Sequence, residues 1–321
     1  HTIQKIKKYL ELIETRLMVS FKAAENAMVC KNATASHKLP SSEDYQWTEF
    51  NASKSYSFGE THYDWFAFQG DISPPDNYDS SIHSMFFQFQ VSRNYLVRPW
   101  DDDTPAGPEG RIWLNGQPYS AIDEFHHGAS ITQTGHVEVR VFTARCKSSP
   151  ELKQFGVKLI HKQTESLYHR IRFLLSVIRE LQENCAERGQ LIRILDSTVR
   201  KLDIRDLYFP VELPKIRHHD ENSTAFYKSV DSALEYLISS LNSLPKPTDS
   251  DPAISIIGYS HIDTCWLWPF NITRFKSANT ATSMLRLLDM PPEAFTKNNT
   301  DVKWKFLATS PQHYKWLKED L

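Results

Sequence analysis

Apolar residues recur at different spacings along this chain, and each spacing predicts a different kind of element. Ile3, Ile6, Leu10, Ile13 and Leu17 fall every three to four residues. That is the stripe of an amphipathic helix, read here over residues 1–25. From 26 to 146 the period drops to two. Phe87-Gln88-Phe89-Gln90-Val91 and Val137-Glu138-Val139-Arg140-Val141 alternate strictly, as strands with one apolar face do. Asn115-Gly116 after Ile112-Trp113-Leu114 is a strong hairpin signal, because both turn residues tolerate positive φ. Short strands joined by such turns predict a β-sandwich domain over 26–146. Residues 147–245 return to helical spacing as a helical connector. Leu167, Ile171, Leu174, Ile178 and Leu181 form one stripe, and Val230, Leu234, Leu237, Leu241 and Leu244 a second. Ser223 or Thr224 is placed to cap the second helix and Pro245 to end it. A polar linker spans 246–252. From 253 to 321 the pattern is strand, helix, strand, helix. Ala253–Ser260 and Val302–Leu307 are the strands, a helix runs from about Thr273 to Leu288, and Pro311 opens another. Successive βα units predict parallel strands with right-handed crossovers. The whole reads as a multidomain α+β chain.

Composition narrows the function classes. The chain has 321 residues and a net charge of −2, so it offers no basic field and no nucleic-acid partner is expected. No apolar run approaches the roughly 20 residues of a membrane span, so no membrane association is expected either. Cys30, Cys146, Cys185 and Cys265 are widely spaced, which argues against a zinc ribbon or a dense disulfide framework. Asn-x-Ser/Thr sequons occur at Asn32, Asn51, Asn222, Asn271 and Asn298. Because Asn271 lies beside the motif described next, they are read as unused, in a cytoplasmic or vacuolar protein. The sequence begins with His1 and stops at Leu321 inside a helical pattern, so it is expected to be the N-terminal part of a longer protein.

The candidate chemistry sits at the end of the Ala253–Ser260 strand. Side chains along a strand repeat every two residues, so His261 and Asp263 should point the same way. An imidazole nitrogen and a carboxylate oxygen aimed at one point suit Zn²⁺ or a similar divalent ion. A His-x-Asp pair alone is also met as a surface histidine next to a helix-capping aspartate. Other candidates are weaker. His126-His127 read as loop histidines, since neighbours on a strand face opposite ways. His218-His219-Asp220 falls in a polar loop. Trp65 and Trp113 read as core aromatics, and Cys265 as a small buried residue.

The longer string changes the balance. His261-Ile262-Asp263-Thr264-Cys265-Trp266-Leu267-Trp268-Pro269 resembles the first strand motif of glycoside hydrolase family 38, the α-mannosidases, and within it the cytosolic and vacuolar branch. Phe58-Gly59-Glu60-Thr61 with Trp65-Phe66, and Trp113-Leu114-Asn115-Gly116 with Ile122-Asp123, resemble the N-terminal domain of that branch. The resemblance implies that 253–321 begins a seven-stranded β/α barrel, truncated here. It further implies that His261 and Asp263 are two of four metal ligands, for Zn²⁺ or Co²⁺, and that Trp266 stacks on bound mannose. No catalytic residue is implied within the 321 residues; the nucleophile and the acid would lie beyond Leu321.

The expectation is therefore the N-terminal part of a metal-dependent retaining α-mannosidase. It would hydrolyse terminal α-mannose from oligomannose glycans in oligosaccharide catabolism, with mannose-containing oligosaccharides as partners and homo-oligomerisation allowed. The 321 residues alone would be inactive. The alternative is a non-catalytic carbohydrate-binding protein derived from such an enzyme. Departures from the family pattern bear on that choice. Where the family carries Glu-Thr and then Arg-Lys and a further Arg, this chain has Asn271-Ile272-Thr273, Phe275-Lys276 and Asn279. Where the family has Ser-Gln, this chain has Ser310-Pro311-Gln312.

Overall fold

The computed structural model describes residues 1–31, 33, 45–58, 64–91, 108–123, 125–143, 150–205, 225–245, 257–265, 268, 270–289, 305–308 and 310–320. The elements in chain order are α1 (Thr2–Glu14), β1 (Met18–Ala23), β2 (Glu25–Lys31), β3 (Trp47–Glu49), β4 (Tyr56–Ser57), β5 (Trp65–Ile72) and β6 (His83–Val91). They continue with β7 (Glu109–Leu114), β8 (Gln117–Ile122), β9 (Gly128–Ile131), β10 (Gly135–Phe142), β11 (Glu151–His161), α2 (Lys162–Glu180), α3 (Ala186–Val199) and α4 (Ala225–Asn242). The last are β12 (Gly258–Tyr259), α5 (Phe270–Asp289), β13 (Phe306–Leu307) and α6 (Pro311–Asp320). The architecture is α+β, with antiparallel sheets and, among the described residues, six helices. The chain divides into two compact units, one of His1–Phe21, Pro74–Met85 and Lys158–Pro252, the other of Lys22–Ser73, Phe86–Val157 and Ala253–Leu321.

In the first unit the apolar stripes of α1, α2, α3 and α4 close on one core. Ile6, Ile13, Leu167, Ile171, Leu195, Val199, Val230 and Leu237 are fully buried there. Both stripes read in the connector contribute to it. The N-terminal helix is shorter than the expected 1–25. It ends at Glu14, Thr15 Oγ1 donates to Leu12 O at 2.7 Å, and 18–23 is a strand. Val19 and Phe21, β-branched and aromatic at a period of two, favour the extended form. The connector likewise does not start helical at 147. Residues 151–161 form the longest strand, β11, buried at Leu152, Phe155, Val157 and Leu159. Its apolar spacing is compatible with a helix, but it pairs with β1 and β6, and at its start with β4, as a strand. His161 at its end then caps α2, its ring accepting from Thr164 N. The proposed capping residues of α4 and His218-His219-Asp220 lie outside the described residues.

The second unit holds a six-stranded sheet in the order β3-β2-β5-β10-β7-β8, every pair antiparallel. It also holds the larger part of a five-stranded sheet in the order β1-β11-β6-β9, with β4 on β11. Aromatic rings bridge the two sheets: Phe68 meets Phe89 edge-on at 5.2 Å, and Phe50 stacks near Phe155 at 6.0 Å. Phe68, Phe89 and Phe155 are fully buried, and each such side chain contributes roughly 1.5–3 kcal/mol. The hairpin forms where expected. Asn115 and Gly116 have φ of 51° and 78° and join Leu114 to Gln117 in register.

The strict alternation of β10 predicted a solvent-facing polar side, and the structure corrects this. Glu138 and Arg140 are buried along with Val137, Val139 and Val141. The face bearing Trp65, Arg111, Trp113, Glu138, Arg140 and Phe142 is covered, and α5 supplies part of the cover. Arg111 and Arg140 are direct cross-strand partners, a like-charge pair that burial would make costly. Arg140 Nε donates to Glu138 Oε1 at 2.8 Å and its guanidinium lies 4.9 Å over Trp113. Arg111 Nε donates to Asn279 Oδ1 at 2.8 Å, a second nitrogen donates to Phe275 O at 3.3 Å, and the group lies 5.3 Å over the Phe275 ring. Paired and stacked, both cations fit inside the fold.

Candidate metal centre and cleft

The docking of α5 on the sheet fixes what precedes it in the chain. Phe275 meets Trp65 edge-on at 4.8 Å, Ile272 packs with Phe142, and Ser283 Oγ accepts from Ala121 N at 2.9 Å. Lys276 pairs with Glu109 and lies 4.1 Å over the Trp268 ring. Thr273 is fully buried, and its hydroxyl oxygen accepts from Cys265 N at 3.0 Å and Trp268 Nε1 at 3.1 Å. One side chain of α5 therefore clasps the turn that follows Asp263. Cys265 sits in that turn at φ 55°, exposed rather than buried. The left-handed backbone turns its side chain outward, an outcome the apolar neighbours did not signal.

β12 and β13 pair in parallel, Gly258 with Phe306 and Tyr259 with Leu307. His261 and Asp263 follow the carboxyl end of β12. Their side chains converge as the two-residue period required: His261 Nε2 lies 2.9 Å from Asp263 Oδ1. The other ring nitrogen, Nδ1, is 3.1 Å from Tyr259 Oη. The phenol thus orients the imidazole, the role that outer hydrogen-bond partners play around metal-binding histidines. Tyr259 lies two residues before His261, at the end of β12, and the periodicity argument extended to it would have found it. The strand itself is described only over Gly258–Tyr259, and Ile257 is exposed rather than part of a buried run. Trp266 lies outside the described residues.

Two donors are half of an ordinary ligand set, since catalytic metals usually hold three protein ligands or more. Among the described residues no group of three or more His, Cys, Asp or Glu is placed to hold an ion. A soft imidazole and a hard carboxylate already side by side, with the imidazole backed by a hydroxyl, fit a Zn²⁺-type ion as a partial site.

The pair lines a cleft of about 460 Å³, within the usual range for ligand sites. It is lined by His261, Asp263 and residues of α5, and by β8 with the loop at Asp123 and His126. His126 is exposed in its loop, as read from sequence, but faces this cleft. The family departures now have a place. Phe275 and Asn279 are 1% and 6% exposed and both contact Arg111 on the sheet, while Asn279 and Lys276 also border the cleft.

The segment that carries this pair, residues 251–321, matches the Glycosyl hydrolases family 38 N-terminal domain. Across 99% of its length the chain is similar to alpha-mannosidase G of Dictyostelium discoideum, at 23% identity over 353 aligned residues, which cover 28% of that protein. Over 64 residues, 20% of this chain and 5% of the relative, it is 44% identical to the alpha-mannosidase of Saccharomyces cerevisiae. The chain thus spans about a quarter of the first relative's length. No described helix is long and apolar enough to cross a membrane.

Proposed function

We propose that the protein carrying this chain is a metal-dependent retaining α-mannosidase that removes terminal α-mannose from oligomannose glycans in the cytoplasm or vacuole. In this reading residues 26–146 are the core of a β-sandwich domain and 253–321 begin the catalytic β/α barrel. The observation that carries it is the convergence of His261 Nε2 and Asp263 Oδ1 at 2.9 Å beside a cleft, inside the segment that matches family 38. The two relatives, both named alpha-mannosidases, support the substrate class.

His261 and Asp263 would hold Zn²⁺ or Co²⁺ together with ligands outside residues 1–321. A bound divalent ion supplies positive charge that grips sugar hydroxyls and steadies the oxocarbenium-like transition state. Tyr259 keeps the imidazole turned toward Asp263, and Thr273 keeps the turn closed. Trp266 would offer its indole to the sugar face. The nucleophile and the acid, about 5 Å apart in retaining enzymes, would come from beyond Leu321.

The test uses the whole protein, stripped with chelator and reloaded. Hydrolysis of p-nitrophenyl α-mannoside should return with Zn²⁺ or Co²⁺. Asp263→Ala and His261→Ala should abolish it and lower the metal content measured by mass spectrometry, while circular dichroism is unchanged. An active Asp263→Ala enzyme would refute the metal role. The burial of Phe275 and Asn279 where the family carries charge favours a second reading, a glycan-binding protein without turnover. Binding of mannotriose with no hydrolysis at any metal concentration would establish it.

A further inference from the structure

We infer that the loop after β8 is a second sugar-binding wall, one that recognises the sugar next to the mannose seated at His261 and Asp263. This rests on the reading above and deepens it, since it makes the sheet a determinant of chain length in the substrate. Asp123 and His126 line the same cleft as His261 and Asp263, although about 140 residues separate the two walls in sequence. The loop is built from inside. Asp123 Oδ1 accepts from Phe125 N at 2.7 Å and His126 N at 2.8 Å, and Asp123 N donates to His126 O at 3.0 Å. His126 Nδ1 lies 3.0 Å from both carboxylate oxygens. That contact sets Nδ1 as the proton-bearing nitrogen and leaves Nε2 as an acceptor.

The result is a carboxylate and an imidazole acceptor held in fixed orientation on an open wall, with side chains 39% and 74% exposed. Phe125, between them in sequence, is 69% exposed, a large apolar side chain in the same loop. Hydroxyl donors facing acceptors, and the apolar face of a pyranose against an aromatic ring, are the two contacts a neutral sugar makes. Arg286 and Lys276 also line the cleft and keep its field from being purely acidic. The ligand class is therefore a neutral oligosaccharide of at least two α-linked hexoses.

The test compares two substrates of the whole, metal-loaded protein: mannotriose, which reaches the second wall, and α-mannosyl fluoride, which has no second ring. Phe125→Ala and Asp123→Asn should each lower kcat/KM for mannotriose relative to the fluoride about tenfold, mainly through KM. Asp123→Asn retains an acceptor for the two loop amides, so folding is kept. An unchanged ratio in both variants would overturn the inference, as would an equal loss on both substrates. Should the wild-type protein hydrolyse neither substrate, the mannosidase reading has failed, and saturation-transfer NMR with mannotriose decides separately. Transfer to the wild type that is lost in Phe125→Ala would support the second wall, and transfer that persists, or none at all, would overturn it.

Discussion

His161 couples the helical unit to pH, and the size of the effect can be worked out. The ring ends β11, caps α2 through Thr164 N at 3.3 Å, packs 4.5 Å from Tyr227 and is 8% exposed. Burial, reinforced by the charge of His83 nearby and only partly offset by Asp231, pushes its pKa down from 6.5 to about 4. Above pH 6.5 the residue is neutral folded and unfolded and contributes no pH dependence. As the pH falls from 6.5 toward 4 the unfolded chain takes up a proton that the folded chain refuses, so stability is lost across that window. At 1.36 kcal/mol per pH unit the loss reaches about 2.5 kcal/mol by pH 4.5. His161→Asn keeps a capping acceptor and removes the titration. Urea denaturation of both chains, followed by circular dichroism at pH 7.5 and 4.5, should show the wild type falling by about 2.5 kcal/mol more than the variant. A stability gap that does not change with pH would refute the burial argument.

Two further outcomes test the docking of α5. Arg111→Met strips the donors from Asn279 Oδ1 and Phe275 O and should cost about 3 kcal/mol. Hydrogen exchange should rise in α5 and the β7–β8 hairpin while α2 stays protected, and a uniform rise would contradict a local clasp. Thr273→Val removes the acceptor of Cys265 N and Trp268 Nε1 and should cost roughly 1–3 kcal/mol. It should also move the Trp268 indole N–H resonance upfield, whereas Thr273→Ser should leave that resonance in place; identical spectra for the two variants would sink the hydrogen-bond reading.

Where one residue and its chain neighbours decide the outcome, sequence was enough. Asn115-Gly116 needs only its own φ values, and it makes the turn. The stripes of α2 and α4 need only a period of 3.6, and both reach the core. The His261–Asp263 convergence needs only a period of two. Failures came where a distant partner decides. β11 carries an apolar pattern that suits helix or strand, and its place between β1 and β6 chose the strand. The 18–23 strand follows a helical stripe without a break in hydrophobicity, so the stripe was extended too far.

The outer face of β10 is the most instructive case, because there the local signal was correct and its usual meaning was not. Glu138 and Arg140 do alternate with valines, but the polar side is buried with Arg111, whose partner Asn279 is 168 residues away. A buried arginine needs hydrogen-bond acceptors and aromatic faces. For Arg140 these are Glu138 and Trp113; for Arg111 they are Asn279, Phe275 and Trp113. Phe275 and Asn279 of α5 are thus tied to a sheet face where Arg111 would otherwise lack these hydrogen-bond acceptors. The same contacts hold α5 against the sheet, with Thr273 closing the turn after Asp263. Through them the sheet reaches the His261–Asp263 pair and brings the Asp123 loop into its cleft. That coupling depends on contacts across more than 100 residues, which no local pattern encodes.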